Sequence, residues 1–443
     1  MNNRIYIKDL SLNKGAEVVI GGFVDVIRHQ GKMAFMDIRD MSGKVQCVVL
    51  PGVIDKEFID QIRSEWVLKI RGKVNERPER NKIEGKVNGD IELEILEIEI
   101  LGRAKELPFE KDADVNIDTY LDHLPLTLRS EKATAVFKVQ ANILKAMREF
   151  LNSEGFTEFQ APKLIGEDAE GGANSFSLEY FGHTAHLAQS PQLYKQIMVG
   201  IFERVFAIGN VYRAEKHSTS RHINEYTSCD LEMGFIEDHT DIMKMETRLL
   251  RHVMKSLKEN CAEEFALFSA EIPEVPESIP ALKFRESQDV IKSEFGEDCS
   301  AELDLEPQHE RWLCEYSKKK FNSDFVFVTH FPIEKRPFYT MEDENDLGYA
   351  KGGDLLFRGV EITTLAQRIH DYDKLVESMT KKGLNPEKFR FYLQSFKSGM
   401  PPHGGLGLGL ERLTAKLLGL DNVKEATLFP RDINRIDNLL SSN

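Results

Sequence analysis

The sequence predicts an α+β fold in which a small β-barrel precedes an antiparallel sheet flanked by helices. Residues 1–103 alternate apolar and polar side chains in short runs separated by turn residues, which is typical of a barrel. A helical period starts near Lys132, and beyond it strands and helices follow each other without the regular βαβ order of a doubly wound sheet. We therefore expect a barrel domain at 1–103, an irregular linker at 104–130 and a second domain at 131–443.

Residues 33–40 carry the clearest strand pattern of the first domain. Their apolar side chains point one way and their aromatic and charged side chains the other: Ala34, Met36 and Ile38 against Phe35, Asp37 and Arg39. Gly43 marks a turn before a second strand at 44–50. In residues 91–100 the apolar alternation slips by one position at Leu96, which predicts a β-bulge.

The second domain opens with an amphipathic helix and a strand. Apolar residues recur at helical spacing, and Gly155 is placed to end the helix: Val136, Val139, Ile143, Met147 and Phe150. A strand is expected at 156–160, stopped by Pro162. Residues 240–320 are charged and mostly helical, and we interpret them as an insertion of the second domain.

Composition and charge limit the function classes. The chain has 443 residues and a net charge of −15, and its first 103 residues hold equal numbers of acidic and basic side chains. Because non-specific affinity for nucleic acids comes from Lys and Arg, an RNA-binding role would depend on local patches that recognise bases and shape.

The cysteines and the N-terminus indicate a reducing compartment. The five cysteines form no C-x-x-C pair, which argues against a disulfide framework or a structural zinc site: Cys47, Cys229, Cys261, Cys299 and Cys314. The first residues lack the apolar core of a signal peptide, and no run reaches the roughly 18 apolar residues of a membrane helix. We expect a cytoplasmic protein without a membrane association.

Residues 206–233 form the first chemical motif, a strand, a charged loop and a second strand. Arg213 can hold a phosphate with two hydrogen bonds, and Glu215 can accept one from the amino group of a purine. Arg221 and His222 in the loop can reach further phosphates. An exposed charged hairpin is an equally good interpretation of this segment alone.

The second motif is the glycine-rich run 404–409, which leads into a helix through Glu411 and Arg412. Glycines allow a ligand to approach the backbone closely, and the helix N-terminus favours anions. Arg412 can stack on a base. The alternative is a glycine-rich strand that simply packs on a helix.

The third motif is a pair of carboxylates, Asp354 and Glu361, on either side of an apolar strand. Their separation of seven would place them on opposite faces of a regular strand, so they converge only if the chain bends at Gly359. Converging carboxylates would suit magnesium bound to substrate phosphates. Two unrelated surface acids are the alternative.

Together these segments resemble the three signature motifs of class II aminoacyl-tRNA synthetases, in matching order: the helix and strand before Pro162, the Arg213-x-Glu215 hairpin and the glycine-rich helix with Arg412. Five further segments resemble the aspartyl-tRNA synthetases: 170–173, 189–196, 336–339, 367–370 and 428–432. The resemblance covers nearly the whole chain and implies an N-terminal OB-fold that binds the anticodon and a class II catalytic domain. It implies activation of L-aspartate with ATP and Mg²⁺ and its transfer to tRNA(Asp), with tRNA(Asn) left open as a second acceptor.

The resemblance also implies roles at the amino-acid end of the site. Glu170, on a loop that closes over the substrate, would hold the aspartate ammonium. Lys195 and Arg368 would pair with the aspartate side chain, and Arg213 would bridge its α-carboxylate and the α-phosphate. The other implied aspartate-binding residues are Gln192, Asp230 and Thr364.

At the ATP end, Tyr226 and Arg412 would sandwich adenine, and Glu361 would hold magnesium with help from Asp354 and Thr364. The implied catalytic residues are Arg213, Glu361 and Arg412. The other implied ATP-binding residues are Glu215, Arg221, His222, Ile223, Gly409, Leu410 and Glu411.

In the barrel, Phe35 and Gln46 would meet the middle anticodon base, and Arg28 and Glu92 would meet its neighbours. An aromatic residue on the charged face of a strand also suits base stacking on physical grounds alone, although an ordinary exposed aromatic is the alternative. The helix from Lys132 and the strand before Pro162 resemble the family's dimer-forming motif, which implies a homodimer.

Two departures from the family pattern leave questions open. Leu365 and Ala366 replace two usual glycines, which would otherwise let the backbone approach the substrate closely there. Phe23 and Asp25 stand where compact enzymes of this family often carry a Trp or a His linked to anticodon discrimination. Two alternatives therefore stay open: an asparaginyl-tRNA synthetase or asparagine-making paralogue, and a catalytically dead RNA-binding paralogue.

Overall fold

The computed structural model describes residues 3–31, 33–85, 87–166 and 175–440. The chain divides into two compact units, residues 1–110 and 111–443. In the described part of the chain, no helix combines the length and the apolar character needed to cross a membrane.

The first unit is a closed five-stranded barrel with strand order β1-β2-β3-β5-β4. Its core contains the predicted inward residues Ala34, Met36 and Ile38, which confirms the alternation. Arg71 pairs with Glu97 and Gly72 with Ile95, so Leu96 is left over as the predicted bulge. Its elements are β1 (Glu17–Gln30), β2 (Met33–Asp40), β3 (Gly43–Val49), α1 (Lys56–Gln61), β4 (Val67–Glu76) and β5 (Ile91–Gly102).

The second unit begins with two short helices that lie in the predicted linker, α2 (Ile117–Asp122) and α3 (Leu124–Thr127). The predicted long helix follows as α4 (Glu131–Ser153). Ser130 caps α4, because its hydroxyl accepts a hydrogen bond from the Ala133 backbone N–H at 3.3 Å. Gly155 follows the helix with a φ of 80°. The expected strand at 156–160 is shorter, with only Thr157–Glu158 paired, in parallel, to Val205 and Phe206.

The elements that follow build the main sheet and its cover: β6 (Thr157–Glu158), β7 (Leu164–Ile165), β8 (Ser177–Tyr180), β9 (His183–Leu187), α5 (Gln192–Phe202), β10 (Arg204–Tyr212), β11 (Glu225–Gly234), α6 (His239–Asn260), α7 (Ala262–Leu267), β12 (Ala281–Lys283), α8 (Phe284–Phe295), α9 (Pro307–Phe321), β13 (Phe325–Thr329), β14 (Gly352–Phe357), β15 (Val360–Gln367), α10 (Tyr372–Lys381), α11 (Arg390–Lys397), β16 (His403–Gly409) and α12 (Leu410–Leu418). The sheet order is β12-β13-β14-β15-β16-β11-β10-β6, and its six central strands are antiparallel. The largest core cluster joins this sheet to α4, α6 and α12. The structure therefore confirms a barrel followed by an antiparallel sheet flanked by helices.

Candidate active site

A cavity of about 180 Å³ lies over the central strands β11, β15 and β16. The start of α5, the loop between β10 and β11 and the first turn of α12 complete its walls. Most of the residues that the sequence nominated line this one cavity: Gln192, Lys195, Arg213, Glu215, Arg221, His222, Ile223, Tyr226, Asp230, Glu361, Thr364, Arg368, Gly409, Glu411 and Arg412. Leu410 instead packs in the main core, and Glu170 lies outside the described residues.

The predicted strand, loop and strand at 206–233 are β10, the loop 213–224 and β11. Asn224 closes the loop, because its side-chain amide donates to the carbonyl of Arg213 at 2.6 Å. Burial, followed by the nearby charge of Arg412, lowers the pKa of His222, so its ring is neutral near pH 7. The arginines of this loop give the cavity a positive wall suited to phosphates.

The two carboxylates of the third motif converge because the chain turns back between them. Asp354 lies on β14 and Glu361 on β15, and the hairpin turn contains Arg358 and Gly359, with φ of 46° and 83°. The sequence interpretation of one bent strand was therefore incomplete. Asp354 pairs across the hairpin with Thr364, whose hydroxyl donates to Glu361 Oε1 at 2.7 Å.

The two carboxylates have different partners and different acidity. Both Asp354 oxygens are engaged by Arg336, at 3.3 and 2.9 Å, and Asp354 does not line the cavity. Burial raises the pKa of Asp354 to about 6, although Arg336 opposes the rise. Burial also favours the neutral form of Glu361, but the charge of Arg412 and the Thr364 hydroxyl hold the pKa of Glu361 below its usual value.

The glycine-rich run forms β16 and passes directly into α12, as the sequence predicts. A Cβ at Gly405 would lie 2.2 Å from Glu232 Oε2, so only glycine fits beside that buried carboxylate. Arg412 donates to the carbonyl oxygen of Glu361 at 2.9 Å, which joins α12 to β15 across the cavity. Glu411 accepts from the Thr227 backbone N–H at 2.9 Å and anchors the helix to β11.

At the other end of the cavity, Lys195 and Arg368 are buried and already paired with carboxylates. Lys195 Nζ lies 3.0 Å from Asp230 Oδ1 and 3.4 Å from Glu232 Oε2. Arg368 Nε and Nη2 donate to the two Glu232 oxygens at 2.8 and 3.3 Å. Burial works against ionisation of Glu232, but Arg368 and Lys195 hold the pKa of its carboxyl below the usual value.

Sequence reasoning missed Glu232, which is fully buried and links the two cations. A signal was present, because Asp230 and Glu232 are two positions apart on one strand and therefore share a face. The cavity is also lined by residues outside the nominated set: Gln189, Ser190, Ser228, Tyr339, Ile362, Gly407 and Val423.

The Leu365-Ala366 pair does not obstruct the cavity. Neither residue lines it, and Leu365 is buried in the main core. Across β14, Gly353 pairs with Leu365 and Gly352 with Ala366. A Cβ at Gly352 would lie 2.8 Å from the Ala366 Cβ, so glycine at position 352 makes room for Ala366.

Comparison with known proteins places this site in a family. The family of class II tRNA synthetases (D, K and N) matches residues 116–433, and an OB-fold nucleic acid binding domain matches residues 18–101. The chain belongs to the class II tRNA synthetases. It is 44% identical to the aspartate–tRNA(Asp/Asn) ligase of Deinococcus radiodurans over 98% of both chains. It is also 44% identical to the ligase of the same name from Thermus thermophilus, over 98% of this chain and 99% of that one.

Among solved structures, this synthetase is similar to asparaginyl-tRNA synthetase from Pyrococcus horikoshii complexed with asparaginyl-adenylate. The TM-score is 0.91 at 32% identity, covering 98% of this chain and all of that one. A putative aspartyl-tRNA synthetase from Leishmania major has a TM-score of 0.86 at 30% identity, over 98% of this chain and 94% of that one. The fold is therefore common to synthetases named for either amino acid.

The barrel of this synthetase brings the four nominated anticodon residues to one face. Arg28 pairs with Phe35 across β1 and β2, and Gln46 lies on the neighbouring strand β3 opposite Asp37. Glu92 lies on β5, which pairs with β3 at the next position. All four side chains are at least partly exposed, and Arg28 Nη2 reaches Asp37 at 3.3 Å.

Proposed function

We propose that this class II synthetase is an aspartate–tRNA ligase that uses ATP to form aspartyl-adenylate and then charges tRNA(Asp). The observation that carries the proposal is the pair of buried cations at the amino-acid end of the cavity. Lys195 and Arg368 both line the cavity and are held in place by Asp230 and Glu232. Cationic N–H donors suit the side-chain carboxylate of aspartate, whereas the amide of asparagine carries no charge and turns N–H donors of its own towards them.

The names of the relatives agree with aspartate, whereas the fold alone does not separate the two amino acids. Relatives at 44% identity are named aspartate–tRNA(Asp/Asn) ligases, and a relative from Pyrococcus abyssi at 38% is named an aspartate–tRNA(Asp) ligase. We therefore include tRNA(Asn) in the proposal as a second acceptor. A catalytically dead paralogue is disfavoured, because Arg213, Glu361 and Arg412 all line the cavity.

The proposed chemistry needs a held carboxylate next to a held phosphate. An α-carboxylate oxygen of aspartate attacks the α-phosphorus of ATP, and the bond to pyrophosphate breaks. Arg213, which lines the cavity, would hold both reacting groups and offset their repulsion. A ribose hydroxyl at the 3′ end of the tRNA then attacks the aspartyl carbonyl and releases AMP.

We propose further that Tyr226 and Arg412 hold the adenine and that Glu215 accepts from its amino group. All three residues line the cavity, and the Arg213 guanidinium lies 6.0 Å from the centre of the Tyr226 ring. Glu170 remains the proposed partner of the substrate ammonium on sequence grounds.

Magnesium fits the donor set around Glu361. That carboxylate faces the cavity, carries the Thr364 hydroxyl beside it, and stays ionised because Arg412 lowers its pKa. Carboxylate and hydroxyl oxygens are the hard ligands that Mg²⁺ takes together with substrate phosphates, where it would neutralise phosphate charge. Asp354 would act on the metal site only indirectly, through its neighbour Glu361, since Arg336 already engages both oxygens of Asp354.

The barrel face with Arg28, Phe35, Gln46 and Glu92 would bind the anticodon. We keep 1–103, 104–130 and 131–443 as the proposed division into anticodon-binding domain, hinge and catalytic domain with a helical insertion at about 240–320. We propose a cytoplasmic location, because protein synthesis uses charged tRNAs in the cytoplasm.

We also propose that the synthetase is a homodimer. Besides the motif around α4, a group of apolar side chains is exposed on the second unit: Ile201 at 63%, Phe202 at 46% and Phe235 at 70%. The two segments that carry them are joined, because Gly234 N–H donates to the Glu203 carbonyl at 2.8 Å. Exposed apolar patches mark interaction sites. A monomeric mass in light scattering at micromolar concentration would refute the dimer.

The decisive experiment measures ATP–pyrophosphate exchange with aspartate and with asparagine, followed by charging of purified tRNA(Asp) and tRNA(Asn). We expect aspartate to be preferred by roughly 10⁴-fold or more, since buried polar groups are left unpaired by the wrong side chain. Equal exchange with asparagine would overturn the proposal. Charging of tRNA(Asp) alone would overturn only the second acceptor.

A further inference from the structure

Helix α9 carries none of the signature motifs, yet its first turn reaches the cavity wall. The helix is fixed to the main sheet, because Leu313 and Cys314 pack with Val326 and Val328 of β13. Glu310, in the first turn, is only 7% exposed. A buried carboxylate on a firmly packed helix can hold other groups in place.

One oxygen of Glu310 makes two contacts with residues that line the cavity. Glu310 Oε2 accepts from Arg221 Nη2 at 2.5 Å and from the backbone N–H of Glu361 at 2.8 Å. Arg221 belongs to the loop between β10 and β11, and Glu361 begins β15. Glu310 therefore ties two walls of the proposed ATP site to a third element.

The contact leaves donors of Arg221 available to a ligand. Its Nε and Nη1 are buried, and neither has a hydrogen-bond partner among the described residues. Buried donors normally have partners, so two unpartnered N–H-bearing atoms at a cavity wall point to an anionic ligand such as a phosphate.

A carboxylate beside Arg221 could either compete with a phosphate or hold the arginine ready for it. The neighbouring charges favour the second effect. Lys416 is close enough that the charge of Arg221, after burial, lowers its pKa, and both Arg221 and Arg412 lower the pKa of His222. Without Glu310, the repulsion by these cations would drive the flexible Arg221 side chain out towards solvent.

We propose that Glu310 is a positioning residue for ATP, which holds the Arg221 guanidinium and the Glu361 backbone in the geometry that the phosphates require. This assigns a role to α9, within the segment 240–320 for which the sequence motifs supply none. The inference rests on the proposed ATP site and adds a residue that touches no substrate.

The test compares Glu310→Gln with Glu315→Gln, a matched change at an exposed position of the same helix. Calorimetry measures the Kd for ATP without requiring turnover, and exchange kinetics supply separate KM values for ATP and aspartate. We expect Glu310→Gln to raise the Kd and KM for ATP by roughly 10- to 100-fold, as for other groups that orient a charged ligand site. The KM for aspartate and the behaviour of Glu315→Gln should stay within about twofold of wild type.

A double-variant cycle shows whether Glu310 acts through Arg221. In an Arg221→Ala background, Glu310→Gln should raise the Kd for ATP by a smaller factor than in wild type, because only the contact with the Glu361 backbone is then left to lose. An unchanged or lower Kd in the single variant, an equal rise of the KM for aspartate, or a full effect in the Arg221→Ala background would each overturn the inference. If Glu310→Gln does not fold, Arg221→Lys tests the same contact, and unchanged ATP affinity there would overturn it. Failure of wild-type exchange would instead overturn the proposed function.

Discussion

Replacing Arg368 by leucine should cost both activity and stability, and the buried Glu232 sets the size of the stability loss. Glu232 is 0% exposed and would lose hydrogen bonds of 2.8 and 3.3 Å, keeping Lys195 at 3.4 Å as its nearest cation. Removing one partner of a buried ion pair costs about 3–5 kcal/mol. Because whole domains are stable by only about 5–15 kcal/mol, we expect a clear fall of the melting temperature.

Urea unfolding and aspartate-dependent exchange measure the two effects of Arg368→Leu separately. Exchange should be nearly abolished, since a cation that lines the amino-acid end of the cavity is gone. In wild type the pKa of Glu232 is held low, whereas in the variant we expect it to rise, so the loss of stability should grow from pH 5 to pH 8. Arg390→Leu is the control, because Arg390 is exposed and its one ion pair with a described residue is to exposed Glu387.

A second substitution makes the reasoning refutable. In the double variant Arg368→Leu with Glu232→Gln, the buried charge is removed, and most of the lost stability should return without recovery of exchange. Wild-type stability of the single variant, or a double variant no more stable than the single one, would refute the assigned role of Glu232.

Three further perturbations test other parts of the structure. Phe35→Ala should lower tRNA charging by the equivalent of about 1–3 kcal/mol and leave ATP–pyrophosphate exchange intact. The control is Met41→Ala, at an exposed position of the same barrel, and equal losses in both assays would make Phe35 a folding residue. Gly352→Ala should destabilise the protein by about 1–3 kcal/mol, because the added Cβ would lie 2.6 Å from the Leu365 carbonyl oxygen. Thermal unfolding should show that a second change, Ala366→Gly, restores only part of this lost stability; full recovery would contradict the backbone clash. Glu246 is fully buried, and burial raises the pKa of its carboxyl to about 8, although the Thr363 hydroxyl opposes the rise. The free energy of unfolding should therefore fall between pH 5 and pH 8, and Glu246→Gln should flatten that fall; an unchanged pH profile would refute it.

Local patterns in the sequence predicted the elements whose form depends on their own residues. Helix α4 carries both its cap at Ser130 and its apolar stripe within one segment, and the bulge at Leu96 follows from a slip inside one strand. The strand at 156–160 was overestimated because its length depends on β10, its only sheet partner among the described residues, which pairs with just Thr157 and Glu158. Pairing partners that are distant in sequence leave no mark on the segment itself.

The carboxylate motif shows the same limit at the level of the site. The spacing of Asp354 and Glu361 correctly required a special conformation near Gly359, but it could not distinguish a bend in one strand from a hairpin turn. That difference matters, because in a hairpin Asp354 lies opposite Thr364 and pairs with Arg336, while Glu361 alone reaches the cavity.

Carboxylates that hold arginines were the part of the site hardest to obtain from the sequence. Motifs mark side chains expected to touch a ligand, whereas Arg368 and Arg221 are each held by a carboxylate that touches none, Glu232 and Glu310. The entropy cost of ordering these long arginine side chains is therefore incurred largely on folding and not on binding. A ligand then binds to donors whose direction is already fixed. The same pairing offsets part of the positive charge of the cavity, so selectivity rests on which ligand groups the fixed donors can pair with. A ligand of the wrong charge is rejected because its binding leaves buried groups unpaired. The Arg368 variants change this pairing at the amino-acid end of the cavity, and the Glu310 variants change it at the proposed ATP end.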